Sequence, residues 1–545
     1  MKQIGMEQQR GRNLWANGVL CREERKGNVH LMLHRMLVVG LLLTLSSQGF
    51  CQRRTPPATP TTSPAETAQK EASIELKPSV TKHTVTLNGA PLAYTATAAQ
   101  IPIRNESGEV ECRMFYVAYT KDGVDPDTRP VTFAFNGGPG SATLYLHMGT
   151  LGPKRAPMND DGSLPAPPYV VADNEATWLD FTDVVCIDAP GTGYSRLARP
   201  DLNTKFYGVT EDIAAFTSFV RGWLKEHKRW RSPLFVAGES YGGIRGSGLC
   251  NSLFDAGVAV SGFISISGTS SYLTISNMRG NDATYIGFLP SMAACAWYHN
   301  KISHTKYRTV DELVKEAKQW TDTVYGPALQ LGDSLTDAQK DQIATKLSSY
   351  LGLSKKYCLG SNLKVSTFAF FRELLRDDGL TIGRYDGRLV GKNEAKEGQG
   401  SGGDPSDEAV TPPFITTVND YLERDLAVNT DMNYLPRGSV NPWKTQQGSY
   451  SETSSDLSRL LLRNPNFRVL YCCGYYDLAC PLNATHFTVN HMGLDAATRS
   501  HIGFAYYPAG HMMYIEKASR KKLHDDAAAF VTTTLGRSSS SGTSR

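Results

Sequence analysis

What the sequence lacks narrows its chemistry first. There is no Cys-x-x-Cys pair and no His-Glu-x-x-His motif, so metal catalysis has no candidate ligand set. No Gly-Lys-Ser/Thr of a phosphate loop occurs, and no cofactor is expected. Neither sign of charge dominates. Lys and Arg number 57 against 53 Asp and Glu, a net +4, too balanced for a chain that tracks nucleic acid or an acidic membrane. No apolar run reaches the ~20 residues of a bilayer span. The nearest approach, Met36-Leu37-Val38-Val39-Gly40-Leu41-Leu42-Leu43-Thr44-Leu45, follows His34 and Arg35 and fits the apolar core of a secretory signal, about 7–15 residues. Residues 1–51 are therefore expected to be a signal region, with translation starting at Met32 or Met36 and the product secreted or periplasmic. Of ten cysteines, eight lie beyond residue 51, and export permits disulfides among them in a connectivity that spacing does not reveal.

What is present reads as a globular α/β chain. Hydrophobic residues make up 40% and charged residues 20%, with mean hydropathy −0.32. A Pro/Thr-rich linker is expected over 52–75 and a disordered tail over 537–545. His83–Leu87 and Met114–Tyr119 alternate as antiparallel strands do, with Asn88-Gly89 as a tight turn. Beyond them come short apolar runs ending in glycine or proline: Val131–Phe135, Val184–Ile187, Leu234–Ala237, Phe263–Ile266, Phe467–Tyr471 and Ile502–Tyr506. Runs of this length fit strands buried on both faces of a mostly parallel sheet. The pattern turns helical between 272 and 455, with Asp311–Trp320 and Ala338–Leu351 as examples. This divides the chain into a core of 76–271 and 456–536 and a cap subdomain of 272–455, within which 391–413 is expected to be a flexible loop.

The chemistry centres on Gly238-Glu239-Ser240-Tyr241-Gly242-Gly243. It follows a strand and opens a helix, the context in which G-x-S-x-G forms a nucleophile elbow. Small neighbours let strand and helix approach, and the serine hydroxyl projects from the strand's end. Such a serine needs a general base and an orienting carboxylate, placed in the order Ser, Asp/Glu, His on loops after strands. Asp477, after Phe467–Tyr471, and His511, after Ile502–Tyr506, occupy those places, with Asp495 as a competing acid. An oxyanion hole needs two backbone N–H groups. Tyr241 supplies one. The loop Asn136-Gly137-Gly138-Pro139-Gly140, directly after Val131–Phe135, supplies the other. The expected fold is thus the α/β-hydrolase fold with an inserted, mainly helical cap.

Taken in order, Asn136-Gly137-Gly138-Pro139-Gly140-Ser141, Asp188-Ala189-Pro190-Gly191-Thr192-Gly193-Tyr194-Ser195, Gly238–Gly243, Gly474-x-x-Asp477-x-x-Cys480 and Gly510-His511-Met512 resemble the serine carboxypeptidase family, the carboxypeptidase Y-like enzymes, from about residue 80 to 535. The resemblance implies a serine-type carboxypeptidase acting on peptide or protein C-termini. Its oxyanion hole would be the Gly138 and Tyr241 amides. Asn136, the Gly137 amide and Glu239 would bind the substrate's terminal carboxylate, which a carboxyl group can do only by sharing a proton. One departure stands out. Thr150 occupies the place, fourteen residues after Asn136, where family members usually have a second Glu. The resemblance then implies an incomplete paired-carboxyl device and activity reaching closer to neutral pH. Ser141 replaces a frequent family Cys. An esterase or acyltransferase using the same triad is the alternative reading. A non-catalytic secreted binding module is a third, against which the complete triad and oxyanion loop argue.

Overall fold

The computed structural model describes residues 74–395, 403–445 and 450–537. The expected signal region, nearly all of the linker and nearly all of the tail lie outside the described residues. The backbone of the fold is a ten-stranded sheet. Its long strands are β1 (Ser79–Leu87), β2 (Ala90–Arg104), β3 (Val110–Lys121), β4 (Val131–Phe135), β5 (Asp183–Ile187), β6 (Leu234–Glu239), β7 (Gly262–Ile266), β8 (Arg468–Gly474) and β9 (Ile502–Tyr507), and Arg196–Leu197 pairs with β3 as a short tenth. The spatial order is β1-β2-β3-β5-β4-β6-β7-β8-β9. Pairings from β1 to β5 are antiparallel, and those from β5 to β9 are parallel. Asn88 and Gly89 both take positive φ (50° and 80°) in the β1–β2 hairpin, as a two-residue turn requires.

Alternation along the central strands builds two cores, one on each face. Phe133, Phe135, Val185, Val236 and Phe263 point one way, against Phe216 and Trp223 of α1 (Val209–Glu226) and Leu249 of α2 (Gly242–Asp255). Ala134, Val184, Ala237 and Ile264 point the other way, toward Leu523 and Ala527 of the C-terminal helix Lys517–Thr534. Strands β4 to β7 are buried at every residue, which is why they read as unbroken apolar runs.

Between β7 and β8 the chain is mainly helical. Its longer elements include α3 (Ala283–Tyr298), α4 (Val310–Trp320), α5 (Asp337–Leu351) and α6 (Pro405–Asp420). Capping boxes open α4 and α5, Thr309 with Glu312 and Thr336 with Gln339. Of the flexible loop expected over 391–413, residues 396–402 lie outside the described residues, and helix α6 corrects the expectation over 405–413. Asp404 caps it by accepting from the Ser406 N–H at 3.0 Å, Pro405 starts it, and Val410 and Phe414 are buried in the second core. That packing overrides Pro412 and Pro413 inside the helix. Contacts join all the described residues into one compact unit. The eight cysteines from Cys112 to Cys480 are buried and unpaired. Among the described residues no helix is long and apolar enough to cross a membrane.

Candidate active site

Four loops meet at the C-terminal edge of the parallel strands, following β4, β6, β8 and β9. Ser240 sits between β6 and α2 with φ +61°, a left-handed conformation that few non-glycine residues adopt and that costs about 1–3 kcal/mol. The surrounding packing imposes it. The Ser240 N–H donates to the Ile266 carbonyl of β7 at 3.1 Å, and its carbonyl accepts from the Gly243 N–H at 2.8 Å. A Cβ at Gly238 would stand 2.3 Å from the Gly242 carbonyl oxygen, so only glycine lets β6 and α2 close up this tightly. The positive end of the α2 dipole faces the same point.

The acid and base loops lie beside it. His511 Nδ1 and Asp477 Oδ2 are 2.8 Å apart, and both residues are fully buried. Asp477 Oδ1 accepts from the Ala479 and Cys480 N–H groups at 2.7 and 2.9 Å, which fixes the carboxylate. Burial presses His511 toward its neutral form. The charge and hydrogen bond of Asp477 more than offset that and raise the imidazole's pKa. Asp495, the competing acid, is instead an exposed helix cap bonded to the Ala497 and Thr498 N–H groups.

The glycine loop packs on the elbow. A Cβ at Gly137 would lie 2.4 Å from the Tyr241 nitrogen, and Gly138 has φ +105°, which favours glycine. Among the described residues the Gly138 and Tyr241 N–H groups have no acceptor, the condition in which a developing oxyanion can take both. Asn136 Oδ1 is held by the Leu146 N–H at 3.0 Å. Glu239 is buried beside the nucleophile, and its Oε2 accepts from the Tyr514 hydroxyl at 2.6 Å. Burial lifts its carboxyl to about 7, against the opposing influence of His511, Tyr514 and Asn136. A cavity of about 240 Å³ joins these groups, bounded by Asn136, Glu239, Ser240, Tyr272, Arg384 and His511 among others.

The sheet-borne residues proposed from the sequence thus come together: Ser240, Asp477, His511, Gly138, Tyr241, Asn136, Gly137 and Glu239. A model of the serine carboxypeptidase family matches residues 102–509. The chain belongs to that family. Within it, the chain is similar to "Serine carboxypeptidase-like 9" of Arabidopsis thaliana, 28% identical over 159 residues, which is 28% of this chain and 33% of that protein. The chain therefore spans about a third of the length of that relative. A longer match reaches "Serine carboxypeptidase-like 34" of the same plant, 23% identical over 74% of this chain and 76% of that protein. A solved proline iminopeptidase of Mycobacterium smegmatis is similar at 14% identity and TM-score 0.34, over 80% of this chain and 98% of that one. The sheet order, the elbow and the family place the chain in the α/β-hydrolase fold.

Several residues at the site were not visible as candidates. Arg245 of α2 is fully buried, pairs with Asp212 at 2.7 Å, and donates to the Asn136 carbonyl at 2.6 Å. Its guanidinium also lies 5.3 Å from the Tyr241 ring, so it ties the glycine loop to the elbow. An arginine within the small-residue run Gly242–Gly248 was the available signal. The inserted segment supplies Tyr385, whose carbonyl accepts from the His511 N–H at 2.6 Å and whose ring lies 5.2 Å from the imidazole. It also brings Arg384 and Arg437 to the cavity. Arg437 pairs with Asp407. Arg384 lies over the Tyr385 ring and has no ion pair among the described residues. No group of three His, Cys, Asp or Glu among the described residues could hold a metal.

Proposed function

We propose that this chain is a serine-type carboxypeptidase that releases C-terminal amino acids from peptides through an acyl-enzyme. Ser240 Oγ attacks the last peptide carbonyl while His511 takes its proton, with Asp477 orienting the imidazole and stabilising the imidazolium. The oxyanion is held by the Gly138 and Tyr241 N–H groups. Collapse expels the terminal amino acid, whose amine takes the proton from His511. Water then attacks the acyl ester by the reverse sequence and frees Ser240.

The observation that carries this reading is the pairing of Asn136 and Glu239 within the same cavity as the nucleophile. A simple esterase needs no receptor for a carboxylate. A buried carboxyl held near pH 7 is protonated over the acidic range and can donate to the incoming carboxylate, with Asn136 and the Gly137 amide beside it. The test is mass-spectrometric digestion of an N-terminally blocked peptide. Wild type should shorten it stepwise from the C-terminus, and Ser240→Ala should leave it intact. Cleavage of simple esters alone by wild type would instead assign the triad to an esterase or acyltransferase.

A further inference from the structure

Thr150, where the family resemblance places a second glutamate, does not take over that role. It is fully buried in the helical turn His147–Leu151, and its hydroxyl has no hydrogen-bond partner among the described residues. The partner of Glu239 comes from elsewhere. Tyr514, three residues past His511, packs the Cδ2–Cε2 side of its ring against Gly149: a Cβ there would stand 2.3 and 2.4 Å from ring carbons Cε2 and Cδ2. The ring therefore fills the volume that any side chain at 149 would need, and its hydroxyl reaches Glu239 Oε2 at 2.6 Å with both residues buried. Burial and the Glu239 charge hold that phenol far above its ordinary pKa, so it remains a neutral donor.

We infer that Tyr514 is a positioning residue that replaces the missing carboxyl: it fixes Glu239 Oε2 and leaves Oε1 to share a proton with the substrate's terminal carboxylate. The inference rests on the carboxypeptidase reading above. Its consequence follows from counting charge. Two carboxyls facing a substrate carboxylate need two protons to avoid like-charge contact, whereas one carboxyl and a phenol need one. The other groups facing Glu239 are His511 from the loop after β9, Asp477 and Cys480 from the loop after β8, Asn136 from the glycine loop and Arg384 from the inserted segment, while Tyr145 acts on Tyr514. Of these His511 and Arg384 bring positive charge, and neither forms an ion pair with Glu239 among the described residues. The single shared proton is therefore the group that limits binding of a free C-terminus at the alkaline side.

The experiment compares Tyr514→Phe with wild type on one acyl sequence carried by two substrates, a blocked dipeptide with a free carboxylate and its counterpart ester lacking it. KM for the free acid should rise about tenfold to a hundredfold, the scale of one hydrogen bond to a charged group, while kcat/KM for the ester stays within about twofold. The alkaline limb of the free-acid profile should move to higher pH, because the lost hydrogen bond had favoured the ionised Glu239. The double variant Glu239→Gln/Tyr514→Phe should bind the free acid no worse than Glu239→Gln alone, since both act on one carboxyl. Equal losses on both substrates, no loss on either, or additive losses in the double variant would overturn the inference. A wild type that cleaves the ester but never the free acid would overturn the carboxypeptidase reading itself, and this inference with it; that result is read before any variant is made.

Discussion

Replacing Glu239 by Gln removes one titration from the buried centre and should change how stability depends on pH. The folded carboxyl titrates at about 7, raised by burial, and its ordinary value is 4.5. Between those values the folded chain holds a proton that the unfolded chain has released, so stability falls as pH rises. The gap of about 2.5 pH units corresponds to about 3 kcal/mol, fully present below pH 4.5 and gone above pH 7. Glutamine has the same shape, stays neutral and keeps an acceptor for Tyr514. Relative to wild type, the variant should therefore gain about 3 kcal/mol between pH 4.5 and pH 8. Unfolding entropy of about 2.1 cal/mol/K per residue over roughly 450 residues converts this to a relative Tm rise of about 3 °C. Scanning calorimetry of both proteins at half-unit pH intervals gives the comparison. A Tm difference that stays constant across the window, or moves the other way, would refute the assignment of a neutral Glu239 at acidic pH.

Two further substitutions test the supports of the site. Arg245→Met leaves Asp212 buried without its partner and should cost about 3–5 kcal/mol in urea unfolding, much of it regained in Arg245→Met/Asp212→Leu; a cost below 1 kcal/mol would remove Arg245 as an anchor. Arg384 brings positive charge to the cavity with no ion pair among the described residues, so wild type should favour substrates with an acidic side chain next to the scissile bond. Arg384→Gln should cut kcat/KM for Glu-containing peptides about tenfold relative to Gln-containing ones, and an unchanged ratio would place the charge outside the subsites.

How far the sequence could be read depended on how local each signal was. The strands from Val131 to Ile266 were legible because buried parallel strands are continuous apolar runs. Strand β9, at the sheet edge, reads as an apolar run although most of it is half-buried or exposed. Ser240, Asp477 and His511 each lie in the loop after a strand. Tyr385 and Arg384 were not legible, since they reach His511 from a loop of the inserted segment with no periodicity to mark them. Tyr514 stands three residues from His511, yet nothing in its neighbourhood says that its ring folds back over Gly149 toward Glu239. Thr150 marks a place where the family resemblance implies a carboxyl, and the Tyr514 hydroxyl on Glu239 becomes visible only in the packing. Helix α6 was misread because glycines precede it and two prolines lie inside it, both of which count against a helix locally, while the burial of Val410 and Phe414 that decides the matter is tertiary.

Under the proposed function the cavity recognises a free C-terminal carboxylate. That recognition is tested most directly by digesting one N-terminally blocked peptide in two forms, with a free C-terminus and with a C-terminal amide, at pH 5.5. The free acid should be shortened, and amidation should lower kcat/KM by about tenfold or more, since it removes the charged partner proposed for Glu239 and Asn136. Equal rates on the two forms would contradict the proposal.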